Sequence, residues 1–289
     1  MDNINWFPGH MAKARKELKE QLRRVDLVIE LCDARLPYSS RNPDLDTMIS
    51  GKRRVLLINK TDLAEPSVTE KWLHVFREKG ITCFNINADR IKRDDALRII
   101  IGAMEDLTAA ALERGVRRTV RAMAVGVPNV GKSTLINRIY GHSTLDTADK
   151  PGVTRSNRWV RISPYIEMLD TPGLLWPRLD RQDAAKRLCY IGSIKDEIID
   201  QEELAECLLH ELAKISPASL AGRFHIDNDI SESETMLEKV CKGRGFLISG
   251  GRPDTVRGAA VVLDEYRSGK LGRITLEDPD ILKAGDINE

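Results

Sequence analysis

The spacing of apolar residues changes character part-way along this chain. Between residues 25 and 170, short apolar runs alternate with amphipathic stretches. Val25-Asp-Leu-Val-Ile-Glu-Leu-Cys32 and Arg54-Val-Leu-Leu-Ile-Asn59 have strand length and little polarity on either face, as strands covered on both sides do. Thr82–Ala88, Ala122–Val127, Arg158–Ile162 and Tyr165–Leu169 are further strand-length runs. Helical spacing appears between them, at Met11–Val25 (Met11, Ala14, Leu18, Leu22 and Val25 on one face), Glu65–Lys79, Arg93–Arg114 and Lys132–Tyr140. This alternation predicts an α/β fold with a mostly parallel sheet. Ligands of such sheets sit beyond the C-terminal strand ends. From about Arg178 only helical spacing remains, at Asp183–Ile191, Gln201–Ile215, Glu232–Lys242 and Pro253–Ser268. The predicted division is an α/β domain over 1–176 and an all-α domain over 177–289, with an acidic, frayed tail from Glu277.

Composition narrows the classes. An apolar content of 42% over 289 residues supplies a large core, and a net charge of +1 gives no global pull toward nucleic acid. The five cysteines are scattered without a Cys-x-x-Cys pair, which argues against a zinc ribbon or a disulfide scaffold. No stretch approaches the ~18 apolar residues of a membrane span, and the N-terminus has no signal-peptide core. The expectation is a soluble, monomeric cytoplasmic protein.

Three motifs carry chemistry. Gly126-Val-Pro-Asn-Val-Gly-Lys-Ser133 stands between a predicted strand and a predicted helix, the setting of a phosphate-binding P-loop. There Asn129, Val130, Gly131, Lys132, Ser133 and Thr134 would wrap the phosphates at a helix N-terminus, Lys132 reaching the β- and γ-phosphates and Ser133 ligating Mg²⁺. Asp170-Thr-Pro-Gly173 ends a strand; Asp170 would hold a Mg²⁺ water and the Gly173 N–H would sense the γ-phosphate, although turns use the same residues. Thr154 is placed to close on Mg²⁺, or is an ordinary loop threonine. Asn59-Lys60-Thr61-Asp62 ends an apolar strand and matches a guanine reader, the plainer reading being a strand-end turn. The Asp62 carboxylate can accept from the N1–H and amino group of guanine, a donor pair adenine lacks. Asn59 would brace the loop, and the Lys60 stem would cover the base. A second base loop is expected at Asn87-Ala88, with the Ala88 N–H meeting the guanine carbonyl. The guanine reader precedes the P-loop, the reverse of the ordinary GTPase order.

With these residues and their order laid out, the chain resembles the circularly permuted GTPases, and among them those that assist assembly of the bacterial large ribosomal subunit. Trp6-Phe-Pro-Gly-His-Met-Ala-Lys13, Asp33-Ala-Arg-Leu-Pro37, Pro151-Gly-Val-Thr154 and the three motifs above carry the resemblance over the first 173 residues. It implies a GTP-hydrolysing factor that binds the immature 50S subunit and its rRNA and couples hydrolysis to maturation and release. Leu174 stands where many GTPases place a water-orienting glutamine. The resemblance points to His10 in that role, the plainer reading being a helix cap, and to Asn129 as a K⁺ ligand, the plainer reading being a variable P-loop position. Hydrolysis would be slow without a partner.

Basic residues cluster locally: Lys13, Arg15, Lys16, Lys19, Arg23 and Arg24; then Arg114, Arg117, Arg118 and Arg121; then Lys239, Lys242, Arg244, Arg252 and Arg257. Such patches suit phosphate backbones or are simply solvated faces. With 5% aromatic residues, base stacking is not the expected mode of RNA binding. The competing expectation is a GTP-dependent RNA-binding module with negligible turnover.

Overall fold

The computed structural model describes residues 16–105, 119–141, 158–163, 165–171, 182–194, 196, 199–226 and 234–282. Six strands form one sheet in the order β3-β2-β1-β4-β6-β5: β1 (Leu27–Asp33), β2 (Arg53–Asn59), β3 (Cys83–Asn85), β4 (Val120–Val125), β5 (Arg158–Ser163) and β6 (Ile166–Asp170). Every neighbouring pair is parallel except the edge strand β5, which runs antiparallel to β6. β1 is buried along its whole length, which explains its near-continuous apolar run.

The connections position the site. From β1 the chain steps outward to β2 and β3, then returns to place β4 against the other side of β1. Strand order therefore reverses between β1 and β4, and a crevice opens there at the C-terminal strand ends. Helices α1 (described over 16–22), α2 (Pro43–Met48), α3 (Pro66–Glu78), α4 (Arg93–Gly102) and α5 (Lys132–Tyr140) complete this unit. Leu18, Leu22 and Val25 pack with Leu45, Ile49 and Met123, while Lys16, Lys19, Arg23 and Arg24 face solvent, as the amphipathic spacing predicts.

The helical part comprises α6 (Gln182–Tyr190), α7 (Gln201–Ile215), α8 (Pro217–Phe224), α9 (Met236–Arg244) and α10 (Thr255–Arg267). Leu204, Leu208 and Leu212 of α7 share a core with Leu237, Val240, Val262 and Leu263. Asp200 caps α7, a Thr235–Glu238 capping box opens α9, and Asp254 caps α10. α8 is absent from the sequence-based expectation. It is eight residues long and starts at Pro217, one residue after α7 ends, so its spacing is lost in that of its neighbour.

The tail corrects a second expectation. Residues 271–282 do not fray; they return to the α/β unit. The Ile274 N–H donates to the Leu63 carbonyl at 3.1 Å and the Leu276 N–H to the Arg35 carbonyl at 3.0 Å. Glu277 is buried: its carboxylate accepts from the Tyr38 N–H at 2.8 Å and the Ser39 N–H at 3.0 Å, and its carbonyl accepts from Trp72 Nε1 at 2.7 Å. Burial pushes the Glu277 carboxyl upward, against the pull of Arg187 and these N–H donors. Acidic composition alone does not separate a frayed tail from a carboxylate that satisfies buried backbone groups.

Glu277→Ala leaves two N–H groups without their acceptor. It should cost about 2–3 kcal/mol in urea unfolding, and Glu277→Gln, which keeps an acceptor oxygen, should cost less.

Candidate nucleotide site

Asn59, Gly126 and Asp170 all lie at C-terminal strand ends around the β1/β4 crevice. The P-loop runs from β4 into α5. Gly126 has φ 155° and Gly131 φ 95°. A Cβ on Gly126 would strike the Leu31 carbonyl oxygen, and one on Gly131 would strike the Asn59 amide. Glycine is needed at both positions for close approach as well as for backbone conformation.

Asn59 joins the two halves of the site. Its Nδ2 donates to the Val130 carbonyl of the P-loop at 2.7 Å, and its Oδ1 accepts from the Ala88 N–H at 2.8 Å. One buried amide thus holds the P-loop and the second base loop at fixed separation. The Thr61 hydroxyl adds a 3.1 Å bond to the Ile86 carbonyl. Lys60 adopts the left-handed conformation, φ 61°, and Asp62 is half-buried beside it.

Ala88 and Asn87 shape the second base loop through their own hydrogen bonds. The Ala88 N–H donates to Asn59 Oδ1, which ties the second base loop to the guanine reader. The Asn87 side chain accepts from the N–H groups of Asp89 and Arg90 at 2.9 and 3.2 Å, forming the turn itself.

At the phosphate end, Lys132 is buried; its ammonium donates to the Val127 and Gly126 carbonyls at 2.9 and 3.2 Å. Burial lowers its pKa to about 8, with Asp170 pulling the other way. The Ser133 hydroxyl donates to Asp170 Oδ2 at 2.8 Å, which brings two hard oxygen donors together at the end of β6. Thr134 stands half-buried in the first turn of α5. Asn129, left-handed at φ 64°, donates from Nδ2 to the Gly192 carbonyl at 2.5 Å. His10, Thr154 and Gly173 lie outside the described residues.

The order of these parts within one continuous sheet is that of a GTPase whose chain begins at a different strand, and sequence comparison decides the family. The chain is 40% identical to ribosome biogenesis GTPase A of Bacillus cereus over 282 residues, covering 96% of this chain and 94% of that one. The chain belongs to the ribosome biogenesis GTPase A family. It is a circularly permuted GTPase that converts GTP to GDP and phosphate. Two solved structures agree. One is GNP-bound YlqF from T. maritima, at 28% identity and TM-score 0.68, covering 93% of this chain and all of that one. The other is the GDP-bound form of TM YlqF, with the same identity and score over 91% and 99% of the two chains. Residues 121–241 also match the family described as "50S ribosome-binding GTPase". That match starts within β4 and leaves out Asn59–Asp62, which precede the P-loop in this chain. Among the described residues no helix is long and apolar enough to cross a membrane.

Sequence reasoning assigned no role to Asp33, Arg35, Gly192 or Ser193, all of which touch the site. Asp33 and Arg35 were visible only as a motif, and Gly192 and Ser193 carried no signal at all.

Lys132 generates a prediction about protons. Its ammonium is disfavoured by burial, and a polyphosphate beside it would hold the proton firmly. At pH 8 the free protein is about half protonated there, so GDP binding should take up roughly half a proton. Calorimetric titration in two buffers of different ionisation enthalpy reads this directly; equal heats in both would contradict it. Affinity should fall as pH rises above about 8.

Proposed function

We propose that this protein is a cytoplasmic GTPase switch that binds the maturing large ribosomal subunit and its rRNA, and that hydrolysis drives its release. The observation that carries the nucleotide part of this reading is the Asn59 amide, which bonds the P-loop and the second base loop at once. Asn59, Lys60, Asp62, Asn87 and Ala88 form the guanine end, and Val130, Gly131, Lys132, Ser133 and Thr134 the phosphate end. The division between a G domain to residue 176 and a helical domain from 177 belongs to the same proposal, the helical domain presenting the RNA-facing surface.

Each group has a stated task. Asp62 reads the guanine N1–H and amino group. Lys132 and the N–H groups at the start of α5 neutralise the phosphates. Ser133 and Asp170, 2.8 Å apart, are hard oxygen donors of the kind Mg²⁺ takes, with Thr154 and the Gly173 N–H completing the γ-phosphate side. Bound there, Mg²⁺ would offset the negative charge on the phosphate oxygens. The Asn129 amide nitrogen is bonded to Gly192, so its oxygen is the atom that would ligate K⁺. Leu174 cannot orient water, and His10 is the group assigned to that task.

The basic patch of the helical domain is partly structural. Arg244 and Arg257 lie over the Phe246 ring at 5.6 and 4.5 Å, and Lys242 pairs with Glu234. Arg252, Arg257 and Lys242 remain exposed toward solvent, where a phosphate backbone would find them.

Multiple-turnover hydrolysis with and without purified 50S subunits tests the proposal. Subunits should raise turnover by at least about tenfold in K⁺ buffer, less so in Na⁺, and His10→Ala should abolish the stimulation. Subunit binding without turnover would leave a GTP-dependent RNA-binding module instead.

A further inference from the structure

The end of β1 carries a buried ion pair whose reach extends from the base loop to the last helix. Asp33 and Arg35 are both buried. Asp33 Oδ1 accepts from Arg35 Nε at 2.9 Å and from the Arg35 backbone N–H at 3.0 Å; Asp33 Oδ2 accepts from Nη2 at 2.8 Å. The same Asp33 oxygen lies 3.5 Å from Lys60 Nζ. On its other side, Arg35 Nη1 donates to the carbonyls of Tyr266 and Arg267, both at 3.2 Å. Arg35 therefore caps the C-terminus of α10, where exposed carbonyls favour a cation.

The path continues beyond α10. Arg267 donates to the Cys189 and Tyr190 carbonyls at 2.8 and 3.0 Å, capping α6 in turn, and is held by Asp196. Just past α6, Gly192 accepts from Asn129, and the Ser193 hydroxyl donates to the Pro128 carbonyl at 2.8 Å. Two arginines thus close a circuit from the guanine reader, through two helix ends of the helical domain, to the P-loop.

We propose that Arg35 is a positioning residue of the guanine nucleotide site, holding Asp33 where it steers Lys60 while gripping the end of α10. A purely structural pair is a poor account of this placement. A fully buried ion pair is no better for stability than well-packed apolar residues of the same volume. This one has a third partner in Lys60, a non-glycine residue at φ 61°. That conformation costs roughly 1 kcal/mol and persists only where neighbours impose it. Burial pushes the Asp33 carboxyl upward, but Arg35 and Lys60 outweigh it and hold it at about 2, so the anion facing Lys60 is present at every working pH. The helical domain's docking and the placement of the base cover then share one guanidinium.

The proposal rests on the reading of Lys60 as the residue that covers the base, and a double-mutant cycle on the full chain separates the two. The dissociation constant of a fluorescent GDP analogue is measured for the wild type, Arg35→Lys, Lys60→Ala and the double variant, with ADP as the control. Arg35→Lys keeps the charge but cannot hold Asp33 through two nitrogens and also reach two α10 carbonyls. It should weaken GDP on the order of five- to tenfold, and should add less than about twofold once Lys60 is already alanine. Wild-type affinity in Arg35→Lys, or an effect that multiplies in full with Lys60→Ala, overturns the positioning role. Unchanged affinity in Lys60→Ala overturns the reading of Lys60 and the proposal with it. Should Arg35→Lys not fold, the paired neutral change Asp33→Asn with Arg35→Gln removes both buried charges together, and the same two comparisons apply.

Discussion

The amide of Asn59 is the constraint on which the nucleotide site depends. Its donor faces the Val130 carbonyl and its acceptor faces the Ala88 N–H, and both partners are backbone groups of loops that begin on other strands. A carboxylate could not donate and an ammonium could not accept, so the two bonds need a group that does both, as the amide does. The approach is close enough that residue 131 has to be glycine. Buried where water cannot substitute, the two bonds fix the span between base and phosphates more firmly than exposed ones would.

Around that brace, burial sets the electrostatics. Lys132 lies in a pocket of P-loop carbonyls with its proton loosened, and the cost of burying that charge is the reason a polyphosphate is a favourable neighbour. At the other end, burial alone would protonate Asp33, yet the Arg35 guanidinium reverses the effect. The same low-dielectric setting gives opposite outcomes because one group has a matched counter-charge at hydrogen-bond distance and the other does not. The helical part is tied in through carbonyls at helix ends, at Tyr266 and Arg267 of α10 and Cys189 and Tyr190 of α6, groups that any helix must satisfy somehow.

Much of this was legible in the chain. β1, buried throughout, and the largely buried β2 and β4 announce themselves as apolar runs because parallel strands covered on both faces leave little room for polar alternation. Asn59 and Asp170 stand at strand ends and Lys132 and Ser133 open the helix after β4, so motif order and strand order together bring them to one crevice. The misses share a cause. The burial of Glu277 is one, and the bonds of Ala88 to Asn59 and of Asn129 to Gly192, which the sequence did not indicate, are of the same kind: pairings between segments distant in sequence or chosen among several available partners. Local spacing holds no record of which backbone donor a side chain will satisfy. α8 was missed for a simpler reason: one residue separates it from α7.

Permutation leaves the sheet whole and moves only the connections, so the loops after β2, β3 and β4 still have to be held together at one site. Asn59 does this between the loops. The measurement that bears most directly on the claim is GDP affinity of Asn59→Ala by calorimetry, alongside its unfolding curve. Loss of both bonds should weaken GDP by at least about tenfold while the protein still unfolds cooperatively. GDP bound as tightly as by the wild type would contradict the account.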